Sequence, residues 1–188
     1  MAAPAPAAAP AAAAQDAARP RLQLSFGAVT EKNIEQLKLL NRAIFPINYP
    51  ERMYKDILAY TDVTQLAYHN DVLVGAIACR LEKSAQAPKL YILTLGVLAP
   101  YRGMGAGAAL LQRCLQLVAT QLPEVQEAVL HVQTSNDEAI RFYSRFGFEV
   151  AETIPGYYKR LDPPDAVLLR KRLQGETSSS GAANGTDA

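Results

Sequence analysis

Apolar and polar residues alternate over residues 22–29, the period of a half-buried strand, and then give way to apolar positions three and four apart. Thr30 fits the N-cap of the helix that follows, whose stripe carries Ile34, Leu37, Asn41 and Ile44 and which Pro46 stops. A shorter helical pattern covers 51–59. Residues 65–69 and 72–81 flank Asn70 and Asp71, two residue types that tolerate the left-handed backbone, so an antiparallel hairpin is predicted there. A strong strand pattern over 90–98 leads into Pro100 and a glycine cluster. An amphipathic helix over 105–121 follows, with Leu110, Leu111, Cys114, Leu115 and Val118 inward. Residues 125–133 read as a strand. Ser135 with Glu138 fits a capping box opening a helix to Phe146, which Gly147 ends, and strands over 148–153 and 166–173 close the pattern. The order β-α-α-β-β-β-α-β-α-β-β predicts an α/β chain, with helices on a mixed sheet of about seven strands.

Composition sets the limits of this unit. Residues 1–20 are almost entirely Ala and Pro, and 175–188 are mostly Gly, Ser, Thr, Asn and Ala, so both read as disordered tails around one domain at 21–174. The first tail makes a poor targeting segment: prolines interrupt it, no basic stretch precedes it, and it contains Asp16. No apolar run reaches the roughly 18 residues of a membrane span. Lys and Arg total 19 against 18 for Asp and Glu, so the net charge of +1 gives no global pull toward nucleic acid or an anionic membrane. Two cysteines and two histidines, each far from its mate, supply neither a zinc constellation nor a disulfide framework. A reducing compartment is expected.

The glycine cluster carries the first chemical signal. Arg102, Gly103, Met104, Gly105, Ala106 and Gly107 stand between a strand and a helix, where loop and first-turn N–H groups converge on an anion. Phosphate binding is the direct inference, with a simple tight turn as the alternative. Gly103-x-Gly105-x-x-Ala108 also satisfies the dinucleotide fingerprint. That fold places its fingerprint in the first βαβ unit, directly after the strand, and an acidic residue at the end of the next strand. Here four segments come first, Ala99-Pro-Tyr101 intervenes, and Glu124 and Glu127 precede or open the next strand.

Arg102-x-x-Gly105-x-Gly107 after a strand resembles the pyrophosphate loop of the GNAT acetyltransferases, and Asn136 and Tyr143 match that superfamily's pattern on the next helix. Longer strings resemble its protein N-alpha-acetyltransferases of the NatE type. They are Phe45-Pro-Ile-Asn-Tyr49, Lys89-Leu-Tyr-Ile-Leu-Thr-Leu-Gly96, Leu98-Ala-Pro-Tyr101, Leu130-His-Val-Gln133, Arg141-Phe-Tyr-Ser-Arg-Phe-Gly-Phe148 and Gly156-Tyr-Tyr-Lys-Arg160. The resemblance spans residues 22–173. It implies the GNAT fold, with a splay between the fourth and fifth strands of the sheet and about four flanking helices. It also implies acetyl-CoA as cosubstrate and no metal. The pyrophosphate would rest on residues 102–107, the pantetheine arm on the backbone of Leu95, Gly96 and Val97, and Asn136 and Tyr143 would complete the cofactor site.

Acetyl transfer to an amine needs a neutral nucleophile, a route for its proton and a leaving thiolate. Tyr91 and Leu93 share one strand face, and His131 shares another with Val129 and Gln133, so two polar groups can meet in a cleft. By burial statistics alone, a lone histidine between Leu130 and Val132 reads as a core residue. The resemblance assigns Tyr91 and His131 as catalytic, acting through an ordered water. His near 6.5 is a better-matched acceptor at pH 7 than Tyr near 10, which makes His131 the expected base and Tyr91 the residue that positions the water. An α-amine near 7.8 is also easier to deprotonate than lysine near 10.4, by about 3.5 kcal/mol. Tyr143 suits donation to the departing CoA sulfur, or simple packing between Phe142 and Phe146.

Phe45, Pro46, Ile47 and Tyr49 follow one helix, and Tyr157 and Tyr158 lie between the last two strands. Both connections are aromatic-rich, of the kind that shapes a site or caps a core. The resemblance makes them the walls of a groove for a protein N-terminus, with Ile47 and Leu93 lining a pocket for a retained initiator Met. It further implies the NatA auxiliary subunit and the ribosome as partners, and a cytoplasmic location that extends to the nucleus. Acetylation of lysine or small amines on the same fold, and a mainly stabilising cofactor-binding subunit, are the competing readings. His69 beside its turn reads as exposed, and Cys79 and Cys114 read as structural. Neither a Gly-x-Ser-x-Gly elbow nor a His-Glu-x-x-His motif occurs.

Overall fold

The computed structural model describes residues 22–83, 87–159 and 161–173; the two tails predicted at 1–20 and 175–188 lie outside them. Strands β1 (Ser25–Ala28), β2 (Gln65–His69), β3 (Val72–Glu82), β4 (Lys89–Val97), β5 (Glu127–Gln133), β6 (Glu149–Ile154) and β7 (Ala166–Arg172) form one sheet. Its order is β1-β2-β3-β4-β5-β7-β6. Helices α1 (Ile34–Ile44) and α2 (Glu51–Leu58) cover one face, and α3 (Ala106–Gln121) and α4 (Asp137–Ser144) the other. Each face carries its own core. Leu37, Leu40, Tyr54 and Ile57 pack with Tyr91 and Leu93 on the first, and Leu110, Cys114, Phe142 and Phe148 pack with Leu90, Ile92 and Leu95 on the second.

The hairpin between β2 and β3 turns on Asn70 and Asp71, at φ 48° and 64°, as their side chains predicted. Two expected helix starts are displaced. Thr30 does not cap α1: the Asn33 amide oxygen accepts from the Thr30 N–H at 2.6 Å and its Nδ2 donates to the Ala28 carbonyl at 3.0 Å. Residues 30–33 are thereby held in a turn, and the helix starts at Ile34. The Ser135–Glu138 box does not form either. Asn136 is the N-cap, its Oδ1 accepting from the Ala139 N–H at 3.1 Å, and α4 ends at Ser144, short of Phe146. His69 is half-buried rather than exposed, with Nδ1 bonded to the Gln23 carbonyl at 2.9 Å.

Two features of β4 position the site. Its parallel pairing with β5, the sheet's one parallel neighbour pair among the described residues, runs only through Lys89–Glu127, Leu90–Ala128 and Tyr91–Val129. Beyond Tyr91 the two strands separate into the splay expected there, and residues 92–97 of β4 have no partner toward β5. On its other edge β4 pairs with β3 along its length, but the register shifts: Ala78 faces Thr94 while Cys79 faces Ile92. Leu93 is the extra residue of a β-bulge, and side-chain parity switches across it. Tyr91 and Leu93 therefore face α1 and α2, whereas Leu95 faces α3.

Candidate active site

At the point where β4 and β5 part, the Tyr91 hydroxyl lies 2.5 Å from His131 Nδ1. The two rings come from different strands, brought together because Tyr91 is paired with Val129, two residues before His131. Tyr157 joins them from the β6–β7 connection: its ring stacks on the imidazole at 4.4 Å and 15°, and its hydroxyl is 3.5 Å from that of Tyr91. The connection itself is pinned. Gly156 N–H donates to Asp165 Oδ1 at 2.8 Å, and Tyr158 N–H to the Pro164 carbonyl at 2.7 Å.

Burial sets the protonation states. It pushes the Tyr91 phenol far above its ordinary value, reinforced by neighbouring Tyr157, so Tyr91 remains an O–H donor. Burial also holds the His131 imidazole below 6.5, against the opposing pull of the Glu82 and Glu152 carboxylates, so the ring is neutral at pH 7. A neutral ring has one acceptor nitrogen, and in the tautomer protonated at Nε2 it is Nδ1 that accepts from the Tyr91 O–H.

Sequence reasoning missed Arg80, whose guanidinium lies 4.9 Å over the Tyr91 ring and pairs with Glu82 at 2.5 Å. Only the β3–β4 register, which sets Arg80 opposite Tyr91, reveals that contact. The alternation of Arg80 and Glu82 with Cys79 and Leu81 was the one visible signal.

The aromatic connections converge on the same face. Phe45 meets Tyr49 edge-on at 5.6 Å and packs over Gly96, where an added Cβ would lie 3.1 Å from its Cζ. Tyr49 and Tyr158 each hold a buried hydroxyl with no hydrogen-bond partner, and burial raises the pKa of both, with a smaller contribution from Tyr54 and Tyr158 at Tyr49 and from Tyr157 at Tyr158. Leu93 is 2% exposed, Ile47 is half-buried, and Pro46 faces outward.

On the opposite face, residues 99–101 form a short 3-10 turn and Gly103 and Gly105 adopt φ 70° and 86°. Gly105 is the N-cap of α3 and offers no side chain, so the N–H groups of Ala106, Gly107 and Ala108 await an external acceptor. Met104 is half-buried in this loop. Arg102 folds back, its Nε donating to the Val97 carbonyl at 2.9 Å, which braces the loop against the end of β4. Tyr143 is 0% exposed beside Phe142 and Phe148, yet its hydroxyl has no partner. Asn136 spends its side-chain oxygen on the α4 cap.

The arrangement is a gap between two strands with a proton acceptor at its apex, an anion cradle at one mouth and an aromatic-walled groove at the other. The Acetyltransferase (GNAT) family pattern matches residues 34–148, most of the chain. The chain belongs to the GNAT acetyltransferase family. This GNAT chain is 46% identical to N-alpha-acetyltransferase 50 of Danio rerio over 152 residues, 81% of this chain and 90% of that protein. It is 42% identical to the probable N-acetyltransferase san of Drosophila melanogaster over 154 residues, 82% of this chain and 83% of that one. Among solved structures, Arabidopsis thaliana Naa50 in complex with the bisubstrate analogue CoA-Ac-MVNAL superposes with a TM-score of 0.73 at 48% identity. The match covers 79% of this chain and 97% of that one. At these similarities the GNAT chain is an acetyl-CoA-dependent N-alpha-acetyltransferase acting on protein N-termini.

The residues present fit acetyl-CoA. The β5-facing edge of β4 over Leu95, Gly96 and Val97 has no strand partner, the first turn of α3 has no side-chain cap, and the Tyr143 hydroxyl is buried without a partner. Among the described residues no group of three or more His, Cys, Asp or Glu can hold a metal ion, and no helix is long and apolar enough to cross a membrane.

Proposed function

We propose that this enzyme acetylates the α-amine of proteins that keep their initiator Met, with His131 as the base reached through the Tyr91 hydroxyl. The contact between Tyr91 and His131 at the apex of the gap carries this reading. Acetyl-CoA supplies the acetyl group as a thioester with a thiolate leaving group. As the amine attacks, its proton passes, directly or across one water, to the Tyr91 oxygen while the Tyr91 proton moves to His131 Nδ1. The positive charge ends on the imidazolium, which Glu82 and Glu152 stabilise, and Tyr91 is never ionised. Tyr143, with its hydroxyl unclaimed, donates to the departing sulfur.

Phe45, Pro46, Ile47, Tyr49, Leu93, Tyr157 and Tyr158 form the peptide groove, the two orphaned hydroxyls of Tyr49 and Tyr158 hydrogen-bonding the peptide backbone. The apolar Leu93 at its floor and the Met-first peptide of the plant relative's analogue support a Met pocket. Likeness to N-alpha-acetyltransferase 50 supports a cytoplasmic and nuclear NatE-type role, with a NatA-type auxiliary subunit and the ribosome as partners. A panel of peptides tests the reaction: Met-first peptides are acetylated, and blocking the α-amine abolishes turnover even with an internal lysine present. Turnover of the blocked peptide would identify a lysine acetyltransferase, and cofactor binding without turnover on the whole panel a stabilising subunit.

A further inference from the structure

One polar group in the gap has no role in the mechanism above. Thr94 is 1% exposed, and its hydroxyl has no hydrogen-bond partner. A buried hydroxyl left unpaired costs stability, so its retention calls for a partner that arrives later. Its position in the fold indicates which. The β4 bulge sets Thr94 directly across from Ala78, which packs with α1 and α2. Directly opposed residues share a face, so Thr94 turns toward the same side as Tyr91 and Leu93. Two residues on, Gly96 is covered by Ile44 and by Phe45, the first residue of the groove wall. Thr94 thus sits between the Met-pocket floor and the Leu95–Val97 stretch, on the peptide side of the sheet and away from α3.

We propose that Thr94 is a further substrate-binding residue, its hydroxyl donating to an acceptor on the first residue of the incoming peptide, the carbonyl oxygen or the thioether sulfur. This rests on the reading of the α1/α2 face as the peptide groove. Removing the hydroxyl relieves the free protein of an unpaired group and deprives the bound peptide of a donor, so stability and affinity move in opposite directions.

The test is steady-state kinetics and thermal melting of Thr94→Val, Thr94→Ser and Leu93→Ala. Thr94→Val is expected to raise the peptide KM about fivefold, the size of one hydrogen bond, and to leave the acetyl-CoA KM unchanged. It should also raise the Tm of the free protein by about 2 °C, while Thr94→Ser restores the wild-type peptide KM. A lowered Tm in Thr94→Val would mean that the hydroxyl already has a partner and would overturn the proposal. If Leu93→Ala raises the peptide KM and Thr94→Val does not, the Thr94 assignment alone falls; if neither raises it, the groove reading falls and takes Thr94 with it. Replacing the first Met by norleucine separates the two acceptors: the Thr94→Val effect vanishes for sulfur and persists for the carbonyl.

Discussion

A tyrosine and a histidine, both ordinary in water, become a matched pair once burial forces one upward and the other downward in pKa. The acid limb of kcat then reports His131. Because its folded pKa is lowered, the ring remains unprotonated at pH values where a free imidazole would be charged, so activity should persist below pH 6.5 and fall only at more acidic pH. Glu82→Gln removes a carboxylate that favours the imidazolium and should move the limb further to acid; a shift toward neutral pH would reverse the assigned sign. His131→Ala should lower kcat at least about tenfold with acetyl-CoA binding retained. Tyr91→Phe should do the same on the proposed route, in which the proton reaches the imidazole through that oxygen.

Much of this scale was legible beforehand. Period-two alternation set Tyr91 and Leu93 on one face, and the chemistry of an α-amine asked for a weak base. The direct ring contact was not legible, because it depends on the parallel register that places Tyr91 opposite Val129, and no local pattern encodes a pairing between residues 38 positions apart, 129 minus 91. The displaced caps have a similar cause. Thr30, Asn33, Ser135 and Asn136 all carry capping oxygens, and only the path of the chain decides which one reaches a free N–H.

Among the elements, β4 does most to shape the site, and its decisive irregularity was hidden. Residues 90–95 read Leu-Tyr-Ile-Leu-Thr-Leu, a nearly continuous apolar run, so an extra residue at 93 interrupts no visible alternation. The hairpin at Asn70 and Asp71 was legible for the opposite reason, since the turn chemistry is carried by two adjacent side chains. Gly96 gives a direct handle on how β4 fits α1. An added Cβ would lie 3.1 Å from Ile44 Cδ1 and 3.1 Å from Phe45 Cζ, tighter than ordinary contact. Gly96→Val should therefore cost about 2 kcal/mol from overpacking, lowering Tm by about 6 °C. It should raise the peptide KM as Phe45 is pushed off the groove; thermal melts and peptide titrations check both.

Across the whole molecule, the sheet coheres through long antiparallel ladders on either side of a join only three residue pairs long. Lys89 and Glu127 clasp that join at its closed end, 2.5 Å apart. The order of elements and the two-faced layering followed from the hydrophobic pattern, because each helix carries one apolar stripe and each must find sheet to cover. Where the sheet opens was expected only from resemblance.

Cys79 and Cys114 are sealed in the core behind this opening, both wholly buried, with burial pushing the Cys79 thiol up. No thiol of the described residues can hold an acetyl group between one visitor and the next. Donor and acceptor must therefore be present together, each entering by its own door. Double-reciprocal plots against either reactant should intersect, and a parallel family of lines would mean that some side chain carries the cargo after all.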